Sequence, residues 1–94
     1  MGASGTAIID FGAWPGSNEA SVNVTGLTEI LADSETDAWI VAVASENHTI
    51  SDHRYAASLI GFTTGVPTAG VGFTIYATSA QKLEGKFNVQ WAWN

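Results

Sequence analysis

The sequence predicts an all-β fold, a compact antiparallel β-sandwich of about seven strands of the jelly-roll or immunoglobulin-like kind. Three observations carry that expectation. Apolar runs are short and separated by clusters of Gly, Asn, Asp, Ser and Pro, and no long stretch places apolar residues at helical spacing. Several segments alternate apolar and polar residues with the period of two that a half-buried strand requires. Turn signals recur about every 8 to 12 residues, the rhythm of a sandwich.

Residues 6–11 form the first expected strand, after a flexible glycine-rich arm at 1–5. It ends at Gly12-Ala13-Trp14-Pro15-Gly16-Ser17-Asn18, where Pro15-Gly16 marks a turn. The second strand, 19–25, sets Ala20, Val22 and Val24 on one face and Ser21, Asn23 and Thr25 on the other. Beyond Gly26-Leu27, residues 28–32 make a third short strand. The acidic run Asp33-Ser34-Glu35-Thr36-Asp37 suggests a cation loop, but it lacks the glycine and the closing Glu of an EF-hand and reads as a solvated turn. Residues 38–45 run almost continuously apolar through Trp39, Ile40, Val41 and Val43, the mark of a strand buried on both faces near the middle of a sheet.

Residues 46–54 are polar and aperiodic, with Ser51 or Asp52 placed to cap one helical turn through His53, Arg54 and Tyr55. Strand character returns over 55–64, and 65–70 is a glycine-bounded loop. In the strand 71–78, Phe73, Ile75 and Ala77 share one side, opposite Thr74, Tyr76 and Thr78. A tight turn at 79–82 leads into the last strand, 83–93, where Phe87, Val89, Trp91 and Trp93 share one face and Asn88, Gln90 and Ala92 the other. Gly85 near its start suggests a bulge. With no internal repeat, linker or low-complexity tract, residues 6–94 read as a single domain.

Composition narrows the function. A domain of 94 residues buries only roughly 60 to 65 per cent of its unfolded surface, and with no cysteine it has no disulfide, thiolate zinc site or cysteine nucleophile. Oligomerisation is the staple that remains. Three cations, Arg54, Lys82 and Lys86, against nine acids give a net charge of −6, which disfavours nucleic acid and anionic membrane as partners. Charged residues are 13% of the chain, about half the usual share of roughly 25 per cent, and the deficit falls in the strands. Such surface is suited to being covered by neighbours.

No segment approaches the length of a membrane span, and the start lacks the cationic region of a secretory signal. The opening Met1-Gly2-Ala3-Ser4-Gly5-Thr6 fits the loose myristoylation pattern but reads as the arm, and without a secretory route the Asn47-His48-Thr49 sequon is discounted.

For chemistry, His48, Asp52 and His53, with Glu46 nearby, are a possible metal set, though histidines five apart do not share a helix face. A homo-oligomer could gather them on a symmetry axis. Nucleophile-elbow, phosphate-loop and dinucleotide motifs are absent, and no pair among nine acids is specific for glycoside hydrolysis. The residues therefore predict no catalytic site, no enzyme and no cofactor. Trp39 belongs to the expected core. Trp14, beside a Pro-Gly turn, and Phe87, Trp91 and Trp93, on the terminal strand, are expected at a subunit interface, with Trp14 or Trp91 alternatively stacking on a sugar.

The stretches Gly5-Thr6-Ala7-Ile8-Ile9-Asp10-Phe11-Gly12, Pro15-Gly16-Ser17-Asn18-Glu19-Ala20-Ser21-Val22 and Gly72-Phe73-Thr74-Ile75-Tyr76-Ala77 resemble small all-β virion proteins of tailed bacteriophages, of the head-decoration or fibre type. The resemblance extends through Lys82 to Trp93 and so covers most of the chain. It implies a structural role in a phage particle assembled in the host cytoplasm, as a symmetric oligomer such as a homotrimer, bound to other virion proteins such as the major capsid protein. The alternative is a carbohydrate-binding module of a tail fibre or receptor-binding protein. The resemblance transfers no individual residue role.

Overall fold

The computed structural model describes residues 2–41, 43–45 and 48–94, which form β1 (Ala3–Asp10), β2 (Ser17–Val24), β3 (Thr36–Ile40), α1 (Ile50–Ala57), β4 (Ile60–Thr64), β5 (Phe73–Leu83) and β6 (Lys86–Trp93). They build two three-stranded antiparallel sheets, ordered β1-β6-β3 and β2-β5-β4. The alternation in β6 has its expected consequence: Phe87, Val89, Trp91 and Trp93 are all buried, and the intervening residues are partly exposed. In β2 the inward set is Ala20, Val22 and Val24, and in β5 it is Phe73, Ile75 and Ala77. These faces join Ile9, Ala38 and Ile60 in one core, where the Phe73 ring meets Trp91 edge-on at 6.0 Å.

The edges of the two sheets also approach one another, β1 beside β2 and β3 beside β4. Across the second seam the Thr36 and Thr64 hydroxyls lie 2.5 Å apart, and Thr64 Oγ1 also donates to the Thr36 carbonyl. The helix covers the same seam through contacts with β3 and β4. Outward-facing edge groups are thereby partly shielded, which matters for short strands that would otherwise invite pairing with other chains.

Six strands form among the described residues, and several elements differ from expectation for identifiable reasons. β1 begins at Ala3, so Ala3, Ser4 and Gly5, expected in the arm, pair with Trp93, Ala92 and Trp91. Residues 28–32 are not a strand. Gly26 turns the chain at φ 79°, Ile30 donates back to the Leu27 carbonyl, and the buried Ile30 anchors a loop that is tied to the 70–71 segment only by isolated bonds, Leu27 N–H to the Val71 carbonyl and Gly70 N–H to the Ile30 carbonyl. The apolar run after Ala38 is an edge strand that stops at Ile40, with Trp39 40% and Val43 53% exposed, so it is neither central nor buried on both faces. Ala42 within that run, like Met1, lies outside the described residues.

Thr49, not Ser51 or Asp52, caps the helix, which runs through Ala57 and so takes residues expected in a strand. A Thr-x-x-Asp box explains it: the Thr49 hydroxyl accepts from the Asp52 N–H at 3.1 Å, and the Asp52 carboxylate accepts from the Thr49 N–H at 3.0 Å. Residues 79–82, expected as a turn, continue β5, because Ser79 pairs with Ile60 and Leu83 with Ser17. The reversal comes at Glu84-Gly85 instead, with Gly85 at φ 76°. A register irregularity lies in β2 between Ser17 and Glu19, where Asn18 Nδ2 donates to the Ser79 carbonyl.

Gly5 is required by contact rather than by backbone angle. It faces Trp91 across the β1-β6 ladder, and a Cβ there would stand 2.5 Å from the indole Cζ2. Gly5→Ala is expected to lower the unfolding free energy by about 1 to 3 kcal/mol in urea titration through overpacking. Ser4→Ala, at an exposed neighbouring position, is expected to stay within about 0.5 kcal/mol of the parent.

Candidate functional site

One end of the molecule collects the side chains with chemical potential, drawn from the β1-β2 corner, the β5-β6 corner and the segment that starts α1. The two corners are tied by backbone: Phe11 N–H donates to the Gly85 carbonyl at 2.9 Å, and Gly85 N–H to the Gly12 carbonyl at 2.8 Å. Asp10 holds the first corner by accepting the Gly12 N–H at 2.8 Å, and Gly16 N–H closes it onto the Ala13 carbonyl at 2.7 Å. Gly16, at φ 80°, leaves no room for a side chain, because a Cβ would meet the Leu83 carbonyl. Trp14, whose peptide bond to Pro15 is cis, projects from this frame with 80% of its surface exposed.

His48 closes the third side. Its ring stacks on Phe87 at 4.1 Å and 12°, while Nε2 donates to the Glu84 carbonyl at 2.5 Å and Nδ1 faces Asp52 Oδ2 at 3.3 Å. The Asp52 carboxyl lies below its ordinary value, held there first by the Thr49 backbone N–H and then by the His48 ring. Gly12, Ala13, Trp14, His48, Glu84 and Gly85 line an open cleft of about 310 Å³.

His53 occupies a different environment. It is fully buried, its Nδ1 donates to the Thr49 carbonyl at 2.8 Å, and its Nε2 accepts the Asn88 N–H at 2.9 Å. An acceptor on one side and a donor on the other fix the neutral tautomer protonated at Nδ1. The one lone pair useful to a metal, on Nε2, is therefore taken by the Asn88 N–H, and Nδ1 carries the proton. His48, Asp52 and His53 are neighbours in sequence but do not converge as ligands, and no group of three such side chains able to hold a metal occurs among the described residues. Glu46 and the sequon residue Asn47 lie outside them. Nor do His48 and Asp52 make a nucleophile-activating pair, since the ring nitrogen that would face a serine is bonded to the Glu84 carbonyl.

Of the four residues expected at an interface, only Trp14 is at the surface. Phe87, Trp91 and Trp93 are 2%, 9% and 8% exposed and fill the space between the sheets. Trp91 is likewise unavailable as a sugar platform. The correction follows from topology: β6 is last in sequence but central in its sheet, flanked by β1 and β3. Trp93 is buried although its indole Nε1 has no hydrogen-bond partner. A cost of about 1 to 3 kcal/mol for that group is outweighed by burial of roughly 150 to 250 Å² of ring at about 25 cal/mol per Å². Glu84 and the tautomeric role of His53 carried no sequence signal, because their partners lie dozens of positions away.

Comparison with protein families, with curated proteins and with solved structures gives no match to this chain.

Two outcomes follow from this end of the molecule. His53→Phe keeps much of the ring volume but leaves the Asn88 N–H without its acceptor, so it is expected to cost about 1 to 3 kcal/mol in chemical denaturation. His53→Ala is expected to cost more, about 3 to 5 kcal/mol, because it also opens a cavity. For Asp52, a folded value below the unfolded 3.8 means that the ionised carboxylate stabilises the fold above that pH and that the contribution is lost as pH falls through the lower folded value. The stability gap between the parent and Asp52→Asn should accordingly be full near neutrality and close in acid, as read by thermal melting across pH.

Proposed function

We propose that the protein is a non-enzymatic structural component of a bacteriophage virion, a β-sandwich of jelly-roll or immunoglobulin-like kind that decorates or cements a capsid or forms part of a fibre. It acts as a homotrimer in contact with other virion proteins such as the major capsid protein, in particles assembled in the host cytoplasm. The observation that carries this reading is the outer face of the β1-β6-β3 sheet. Thr6 and Ile8 on β1, Gln90 and Ala92 on β6, and Trp39 on β3 present an uncharged middle, with Asp37 at one end of the face and Asp10 and Lys86 at the other. Ile8 is 53% exposed and Trp39 40%.

The charge argument supports contact there. Copies that each carry −6 repel one another, and close approach is least opposed where the surface is neutral. Between its charged ends that face is neutral across the rows Thr6-Gln90-Trp39 and Ile8-Asn88, which suits it to a second copy. The stretches that resemble virion proteins form β1, the Trp14 corner with the start of β2, and the first half of β5, so the resemblance concerns the framework more than any chemical site. The engagement of His48 Nε2 and of both His53 nitrogens by backbone agrees with a non-catalytic role.

Sedimentation at micromolar concentration is expected to give a trimer, and Trp39→Lys to weaken association by about tenfold or more, since aromatic residues at the centre of an interface carry much of its energy. A parent protein that remains monomeric would sink the assembly claim. Locating the chain in an electron-microscopy map of the particle, with its copy number relative to the capsid protein, tests the virion assignment itself.

A further inference from the structure

We propose that the cleft beside Trp14 is a binding site for a neutral pyranoside. The proposal goes beyond the assembly role, and it uses the end of the molecule rather than the outer face of β1-β6-β3.

Trp14 is the starting point. Trp91 and Trp93 are buried and Trp39 is 40% exposed, whereas Trp14 stands 80% exposed at a corner that is rigidly held. Phe11, Gly12 and Gly85 tie that corner to its neighbour through backbone hydrogen bonds and Gly16 closes it on Ala13, so little backbone ordering is left to be done when a ligand arrives. An exposed indole on that backbone offers an apolar platform of the shape that the C–H face of a sugar ring covers.

The polar complement is Glu84, which lines the same cleft. Among the described residues the Glu84 carboxylate takes no hydrogen bond or ion pair, and it can accept from two hydroxyls at once. Gly12 and Gly85 also line the cleft and carry no side chains, which lets a ring approach the backbone. An apolar face flanked by hydroxyls is the feature that separates a sugar from a purely apolar ligand, and an aromatic platform beside an acceptor matches it.

Charge and size narrow the class. Glu84 lines the cleft and Asp52 stands behind His48, so a carboxylated, sulfated or phosphorylated sugar would meet like charge. The volume of about 310 Å³ lies at the low end of the roughly 300 to 1,000 Å³ typical of small-molecule sites. One or two sugar rings fit that scale, as the end of a neutral surface polysaccharide would present them.

The test is amide NMR of the full chain titrated, at millimolar concentration, with the methyl glycosides of glucose, galactose, mannose and N-acetylglucosamine, with sialic acid and glucuronic acid as anionic comparators. At least one neutral glycoside is expected to shift the amides of Gly12, Ala13, Trp14, Glu84 and Gly85 together. Trp14→Ala should weaken that binding by about tenfold or more, and Glu84→Gln by roughly threefold to tenfold. An unchanged thermal transition for Trp14→Ala shows that the fold is intact, and an unchanged oligomer mass separates this outcome from the assembly reading. The proposal is overturned if no neutral glycoside shifts these amides, if binding survives Trp14→Ala, if the anionic sugars bind as well, or if Trp14→Ala dissociates the oligomer.

Discussion

Asn88 is the point at which the distant parts of the chain are joined. On β6 it pairs with Ile8 of β1, and its carbonyl accepts the Val41 N–H just beyond the end of β3. Its own N–H, which a regular third strand would have paired, goes to His53 of α1, and its side-chain amide donates to the Val43 and Ala44 carbonyls at 3.0 and 3.2 Å. One residue thus satisfies the strand before it, the segment leaving that strand and the helix that follows. The constraint behind this arrangement is that a buried backbone N–H must find an acceptor when a neighbouring strand ends. An imidazole inserted from a helix solves the problem without extending β3.

That solution shapes the candidate site. Because His53 pins α1 against β6, the helix start is fixed beside the β5-β6 corner, and His48 is placed where its ring can stack on Phe87 and reach Glu84. The capping box holds the same segment locally, with Thr49 and Asp52 satisfying each other's backbone. Two adjacent histidines therefore have separate roles: one is interior and bridges backbone groups, while the other is peripheral and forms a wall. Sequence proximity suggested a shared ligand set, but helix geometry and burial divide them.

Legibility followed the mechanism of burial. β2, the first half of β5 and β6 were readable because each buries one face, so alternation records the two environments directly. The second half of β5 was not, since Ser79, Ala80, Gln81 and Lys82 have the composition of a turn and are held extended by pairing at either end, Ser79 with Ile60 and Leu83 with Ser17. The run from Ala38 misled in the opposite direction: Trp39 is apolar yet faces outward at a sheet edge, a placement that period alone cannot distinguish from burial on both sides. The Thr49–Asp52 box is a local signal in the sequence, but Ser51 and Asp52 offer the same cap chemistry two and three residues later, and the apolar residues of 55–64 suggest a strand.

The tryptophans show why position along a chain is a poor guide to position in space. Trp91 and Trp93 stand near the last residue, and a terminal strand suggests an edge where a small core runs out. The observed order puts that strand between the first and the third, so its inward residues face the opposing sheet and are buried in the core. Trp14 belongs to neither sheet. Its Pro-Gly surroundings dictate a corner, a corner cannot pack both its faces, and the ring is left in water. In a 94-residue domain with so little charge, an exposed indole that contributes nothing to the core is open to contact with something outside the chain.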